Sequence, residues 1–193
     1  MADKILVATS NKHKLREIGQ ILGCRVKGVG VRVKENGRTF EANAIKKVKA
    51  IKIQKGEVGI ADDSGLMVDC LGGKPGIKSA RFATPPTAEN LCVKLLRVMR
   101  NAKCEMRNAN RVTRNAKFVC VIAIAYPSGK IRTVKGVVKG RIIHEMRGSQ
   151  GFGYDPVFRP CGYIKTFAEM SATGKNRISH RGRALRKLRR QLV

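Results

Sequence analysis

Residues 118–126, Phe-Val-Cys-Val-Ile-Ala-Ile-Ala-Tyr, are the longest apolar run in the chain. Pro127-Ser128-Gly129-Lys130 follows, and then residues 131–138, where apolar and polar side chains alternate. This pattern predicts a hairpin: a buried strand, a turn and a half-exposed partner. The run is far short of the roughly 20 apolar residues that a membrane span needs, so no membrane span is expected. With 193 residues, 42% of them hydrophobic, the chain can bury a real core, most simply within a single domain over residues 1–193. The opening Met-Ala-Asp-Lys-Ile-Leu-Val-Ala-Thr-Ser has too few apolar residues for a secretory segment, and a soluble, cytoplasmic protein is expected.

Upstream, strands and helices alternate. Residues 4–9 read as a short buried strand that ends at Ser10-Asn11, after which Leu15, Ile18 and Leu22 recur at helical spacing. Val29, Val31 and Val33 alternate as a half-exposed strand. Thr39 caps a helix with Phe40, Ala44, Val48 and Ile51 on one face and lysine on the other. Residues 58–61 form a brief strand that delivers Asp62-Asp63 to its end, and "GLMVD" forms a second. Thr87 caps a third helix with Leu91, Leu95 and Val98 inward; residues 101–115 read as a basic loop between lobes; Leu185, Leu188 and Leu192 mark a last helix. The expected fold class is α/β, a mixed central sheet flanked by helices.

The six cysteines show no C-x-x-C pair and no histidine at ligand spacing, which leaves buried reduced thiols as the plain reading. The charge is less ordinary. Lys and Arg number 41 against 13 Asp and Glu, a net +28 spread over the whole chain. Such a field attracts polyanions: nucleic acid, anionic membrane or phosphorylated small molecules.

Four polar segments could build a site: "TSNKHK", "ADDSG", "GFGYDP" and "GKNRISHR". Lys14 stands one turn into a helix whose N-terminal amides favour an anion, although a lysine there is often simply solvated. Asp62-Asp63 reads either as a capping pair or as carboxylates that hold Mg2+ and activate a water. Phe152, between glycines, is either a core ring or an open one on which a base stacks, with Asp155 at the base edge. Lys175, Ser179, His180 and Arg181 suit a phosphate chain and a carbonyl oxygen at a helix start. Neither a Walker A motif nor a Rossmann fingerprint is present. Together the segments describe a site for a magnesium-bound nucleotide.

"ATSNKHKLREI", "TFEANAIKK", "IADDSGLMVDCLGGKPGIKSARFA", "GFGYDPVF", "KTFAEM" and "KNRISHRGRAL" stand here in the order and spacing of one family. The chain resembles the inosine triphosphate pyrophosphatases, or XTP/dITP diphosphatases, over about residues 4–188. The resemblance implies an elongated two-lobed fold with a central cleft, a homodimer, and Mg2+-dependent hydrolysis of ITP, dITP or XTP to the monophosphate and pyrophosphate. It implies that Thr9, Ser10, Asn11, Lys12, His13 and Lys14 contact the triphosphate, and that Asp63 serves as base and, with Asp62, as metal ligand. Ser64 would line the substrate site. Phe152, Gly153, Tyr154 and Asp155 would hold the base, Lys175 would contact substrate, and His180 and Arg181 would read the purine and phosphate side.

The chain departs from the family at one ligand. The family's Thr-Phe-x-Glu-Asn-Ala carries a metal-binding glutamate where this sequence has Ala42, and Glu41 lies about 100° away around the helix. A second reading therefore stands beside the enzyme: a catalytically weakened scaffold whose basic surface binds RNA, DNA or a ribonucleoprotein. A plain nucleotide-binding module is a third.

Overall fold

A computed structural model describes residues 4–102 and 113–192. Its strands are β1 (Lys4–Ala8), β2 (Val26–Val29), β3 (Glu57–Val68), β4 (Asn115–Ala125), β5 (Ile131–Ile142) and β6 (Phe158–Pro160). Its helices are α1 (Lys12–Leu22), α2 (Phe40–Lys49), α3 (Ala88–Asn101), α4 (Ala172–Ile178) and α5 (His180–Leu192). The strands hydrogen-bond in the order β2-β1-β3-β4-β5-β6. β1 is parallel to both β2 and β3, and β5 is antiparallel to β6, so the sheet is mixed. No helix among the described residues is long and apolar enough to cross a membrane.

The described residues pack as two compact units. The first draws on Met1–Ser64, Cys120–Val137 and Asn176–Val193, the second on Gly65–Val119 and Val138–Lys175. In the first unit, Ile5 and Val7 of β1, Val58 and Ile60 of β3, and Cys120, Ile122 and Ile124 of β4 meet Ile18 and Leu22 of α1 and Leu185 and Leu188 of α5. α2 lies on the other face, where Ala44 and Val48 are fully buried. Gly136 of β5 admits α5: a Cβ there would stand 2.1 Å from the His180 carbonyl oxygen. Asn11 starts α1 by accepting from the amides of His13 and Lys14, and Thr39 starts α2 by accepting from Ala42.

In the second unit Phe118, Phe158 and Phe167 form one ring cluster, with Phe118 and Phe158 edge to face at 4.7 Å. Leu95 and Met99 of α3 are buried in the same unit. Ser79 accepts from the Leu66 amide, and its own carbonyl accepts from the Tyr154 hydroxyl at 2.9 Å.

Several local expectations change. The acid pair was expected in a loop between two short strands, but β3 runs unbroken from Glu57 to Val68 because buried cations neutralise both carboxylates. The Val29–Val33 strand stops at Val29, which pairs with Ala8 at the end of β1, so the chain beyond has no neighbouring strand. "GKNRISHR" is helical instead of a loop: α4 ends at Ile178, and Ser179 starts α5 by accepting from the Gly182 amide. Cys92 and Cys120 are buried as expected, but Cys24 and Cys161 are exposed. Most of the basic stretch at 101–115 and the side chain of Leu192 lie outside the described residues.

Candidate functional site

Side chains alternate across a strand, so Asp62 and Asp63 leave β3 on opposite faces. Asp62 points the same way as Val58 and Ile60, toward α1 and α5. Its Oδ1 faces the ammonium of Lys14, and its Oδ2 accepts from Arg181 Nε at 3.3 Å and NH2 at 3.1 Å. The Cys120 thiol donates to the same Oδ2 at 3.4 Å. Arg181, 1% exposed, also donates through NH1 to Glu17 and through NH2 to Ser64 Oγ. Lys14 and Glu17 stand three residues apart on α1, which puts them on one helix face.

Asp63 points toward α2. Its Oδ1 accepts from Lys47 Nζ at 2.9 Å, and its Oδ2 accepts more loosely from Asn43 Nδ2 at 3.3 Å. Asn43 and Lys47 are four residues apart on α2 and both are buried. Lys47 Nζ also donates to the Asp62 carbonyl at 2.7 Å and lies 3.4 Å from Glu35 Oε1, so one ammonium is surrounded by three oxygens. The lysine face expected for α2 therefore has one member turned inward.

The two environments separate the titrations of the adjacent acids. Burial would raise Asp62, but Arg181, Lys14 and Lys47 outweigh it and hold the carboxyl well below the usual range. Burial prevails at Asp63 and raises it, against the lowering effect of Lys47. Burial works against the charge on Lys47, yet Asp63, Asp62 and Glu35 keep its ammonium more firmly protonated than an ordinary lysine. Asp62 is thus a fixed anion, and Asp63 is the acid of the pair that takes up a proton more readily.

The approach to this network is the segment Thr9–His13. Thr9 Oγ1 accepts from the Asn11 amide, and Ser10, Asn11, Lys12 and His13 are exposed at the start of α1. His180 is buried at the start of α5.

The second unit holds the other expected residues. Asp155, 2% exposed, accepts on Oδ2 from the Phe152 amide at 2.8 Å and from Lys175 Nζ at 2.7 Å. The Lys175 ammonium lies over the half-buried Phe152 ring, 4.8 Å from its centroid. Gly151 is required there: its φ is +80°, and a Cβ would meet Asp155 Oδ2 at 2.1 Å. Gly153 accepts from the Cys92 thiol, which burial pushes up to about 12. Tyr154 is buried, with its hydroxyl committed to Ser79.

Sequence reasoning did not single out Glu17, Glu35, Asn43, Lys47 or Cys120. The signal for Asn43 and Lys47 was their i, i+4 spacing beside the apolar stripe of α2, and for Glu17 its i, i+3 spacing from Lys14. Nothing in the sequence marked Cys120 apart from its apolar neighbours.

A mixed-sheet α/β protein that carries a buried, cation-locked acid pair on a central strand is the class these features define. The Ham1 family model matches residues 5–191. A dITP/XTP pyrophosphatase of Desulforamulus reducens is 45% identical over 195 residues, covering 95% of this chain and 92% of the relative. One of Bacillus licheniformis is 42% identical, covering 96% and 95%. Among solved structures, the Staphylococcus aureus Ham1 protein superposes with a TM-score of 0.82 at 36% identity, and a Coxiella burnetii HAM1 protein with 0.83 at 35%. Each comparison covers 98% of both chains. The chain belongs to the Ham1 family.

Proposed function

We propose that this protein hydrolyses non-canonical purine nucleoside triphosphates, dITP, XTP and ITP, to the monophosphate and pyrophosphate. The observation that carries this reading is the division of labour in β3: one carboxylate is fixed as an anion by Lys14 and Arg181, while its neighbour is held on a buried ammonium and raised. Environments that push paired carboxyls apart assign acid and base roles. The names and identities of the relatives support the substrate class.

The donor chemistry around Asp63 suits Mg2+. The Asp62 carbonyl, Asp63 Oδ1 and Glu35 Oε1 lie around the Lys47 ammonium, and oxygen donors of this kind are the ones Mg2+ takes. Among the described residues no group of three or more His, Cys, Asp or Glu is arranged to hold a metal ion. Mg2+ commonly uses only one or two carboxylates and takes its other ligands from water and substrate phosphates. Asp63 is the residue assigned to hold it, because Asp62 is paired with two cations, Lys14 and Arg181, whereas Asp63 is paired with one, Lys47, and with the neutral amide of Asn43. When bound, Mg2+ supplies charge neutralisation over the phosphate oxygens.

Asp63 takes the proton of the attacking water as general base. Lys47 keeps the Asp63 carboxylate oriented. Asp62 holds Lys14 at the phosphate-facing start of α1, where the amides and side chains of residues 9–13 contact the triphosphate. Phe152 stacks on the base while Asp155 and Lys175 fix the ring and its surroundings. Telling a 6-oxo from a 6-amino purine needs a donor aimed at position 6. Arg181 is the candidate, and the ITP-over-ATP preference of Arg181→Lys tests it.

The test is product analysis with ITP, dITP, XTP, ATP and GTP, with and without Mg2+. Pyrophosphate release from the deaminated purines supports the reading, and orthophosphate release rejects it. We infer a cytoplasmic homodimer from the family resemblance; analytical ultracentrifugation checks the dimer.

A further inference from the structure

Two of the three segments that make up the first unit carry charge of one sign. Residues 120–137 and 176–192 contain no Asp or Glu. On α5, Arg183, Arg186, Lys187, Arg189 and Arg190 are exposed, while Arg181, Ala184, Leu185 and Leu188 are buried. At 100° per residue the five exposed cations cover about 160° of the helix circumference and extend along about 10 Å of its axis. No other side chain of α5 is exposed within that arc.

Several of these cations are held by backbone carbonyls. Arg183 Nε donates to Ile178, Arg186 NH2 to Arg177 and Lys187 Nζ to Lys135. A carbonyl orients a cation without neutralising it, so the arc keeps its full charge. Arg181, the α5 residue that reaches the acid pair, projects from the opposite side of the helix, which places this arc away from the phosphate chemistry assigned to β3.

We propose that the outer face of α5 is a sequence-independent binding surface for the phosphate backbone of a nucleic-acid duplex. Duplex DNA presents one negative charge per about 1.7 Å of axis, dense enough to engage several cations spaced along 10 Å. An anionic membrane fits less well, because interfacial helices insert an apolar face and every apolar side chain described on α5 is buried. An acidic protein also fits less well, since stable interfaces carry a buried apolar or aromatic centre and this arc has none.

The experiment is a fluorescence-anisotropy titration of the full chain with a mixed-sequence DNA duplex of about two turns, across a KCl series. It compares the parent, the triple variant Arg183→Gln, Lys187→Gln, Arg190→Gln, and a control triple, Lys49→Gln, Lys52→Gln, Lys55→Gln, which removes equal charge from another exposed region. The α5 triple should lower the slope of log K against log salt by about 2.7, at about 0.9 per phosphate contact. The control should change it by less than about 0.5, and nucleotide turnover should be unchanged in both. Equal losses in the two triples, or no loss in either, overturn the proposal. So does α5-dependent binding to phosphatidylserine–phosphatidylcholine vesicles that exceeds binding to the duplex. If the α5 triple does not fold, Arg190→Glu alone repeats the measurement, and a slope loss below about 0.5 rejects the site.

Discussion

Asp62 and Asp63 are consecutive residues whose carboxylates lie on opposite faces of one sheet, the first against Lys14 and Arg181 and the second against Lys47 and Asn43. Peptide geometry alone produces this separation, because neighbouring side chains of a strand point to opposite sides. Two acids that appear redundant in the sequence thereby enter different electrostatic surroundings.

Asp63→Asn should leave the fold intact and reduce turnover by about 100-fold or more, the scale expected for loss of a general base. The amide keeps the size of the side chain and its contact with Lys47. Steady-state kinetics together with circular dichroism check this; turnover within a few-fold of the parent would remove Asp63 from the role of base.

Lys47→Met takes away the cation that lowers the Asp63 proton affinity, while burial, which raises it, remains. The acid limb of the kcat–pH profile should therefore move to higher pH, and kcat at neutral pH should fall. A profile displaced downward without moving along the pH axis would show that Lys47 serves only packing.

Asp62→Asn leaves a buried guanidinium with one counter-ion, Glu17, where it had two. Breaking a buried pair in this way costs about 3 kcal/mol, or roughly 6–12 °C in Tm for a chain of this size. Differential scanning fluorimetry measures it, and an unchanged Tm would mean that the network adds nothing to stability.

The same residue sets the acid limb of stability. Its proton affinity is lower folded than unfolded, so its contribution is complete above the unfolded carboxyl value of 3.8 and disappears as pH falls through the lower folded value. Asp63, raised in the fold, works in the opposite sense: its ionisation costs stability as pH climbs from the unfolded value through the folded one. Urea midpoints between pH 2 and 7 should fall steeply below about pH 4 in the parent and much less steeply in Asp62→Asn.

Ala42→Glu places a carboxylate in the first turn of α2, next to Asn43, which touches Asp63. Mg2+ affinity by isothermal calorimetry should rise several-fold, and activity at limiting Mg2+ with it. No change in either would show that the missing glutamate does not limit metal binding.

Much of this architecture was legible in the residues. The hairpin, the Asn11 and Thr39 caps, the Leu185–Leu188 stripe and the mixed sheet all follow from local patterns. The continuity of β3 was not legible, because two adjacent aspartates look like a loop until the cations that neutralise them arrive from positions 14, 47 and 181. Lys47 was hidden for the same reason: its neighbours on α2 are exposed lysines, and only the distant acids explain its burial. Short-range periodicity reports which face of an element is apolar, and it is silent on pairs formed across many residues of chain.

Each of β3, β4 and β5 begins in one compact unit and ends in the other. Neither unit corresponds to a continuous stretch of coding sequence, so neither can be cloned as a simple fragment or exchanged with a relative by a single crossover. A chimera of two Ham1 proteins needs junctions within all three strands and a fourth between Lys175 and Asn176. Recombination confined to either end of the gene would exchange only part of the first unit and leave it packed from residues of two parents, which favours inheritance of the fold as a whole.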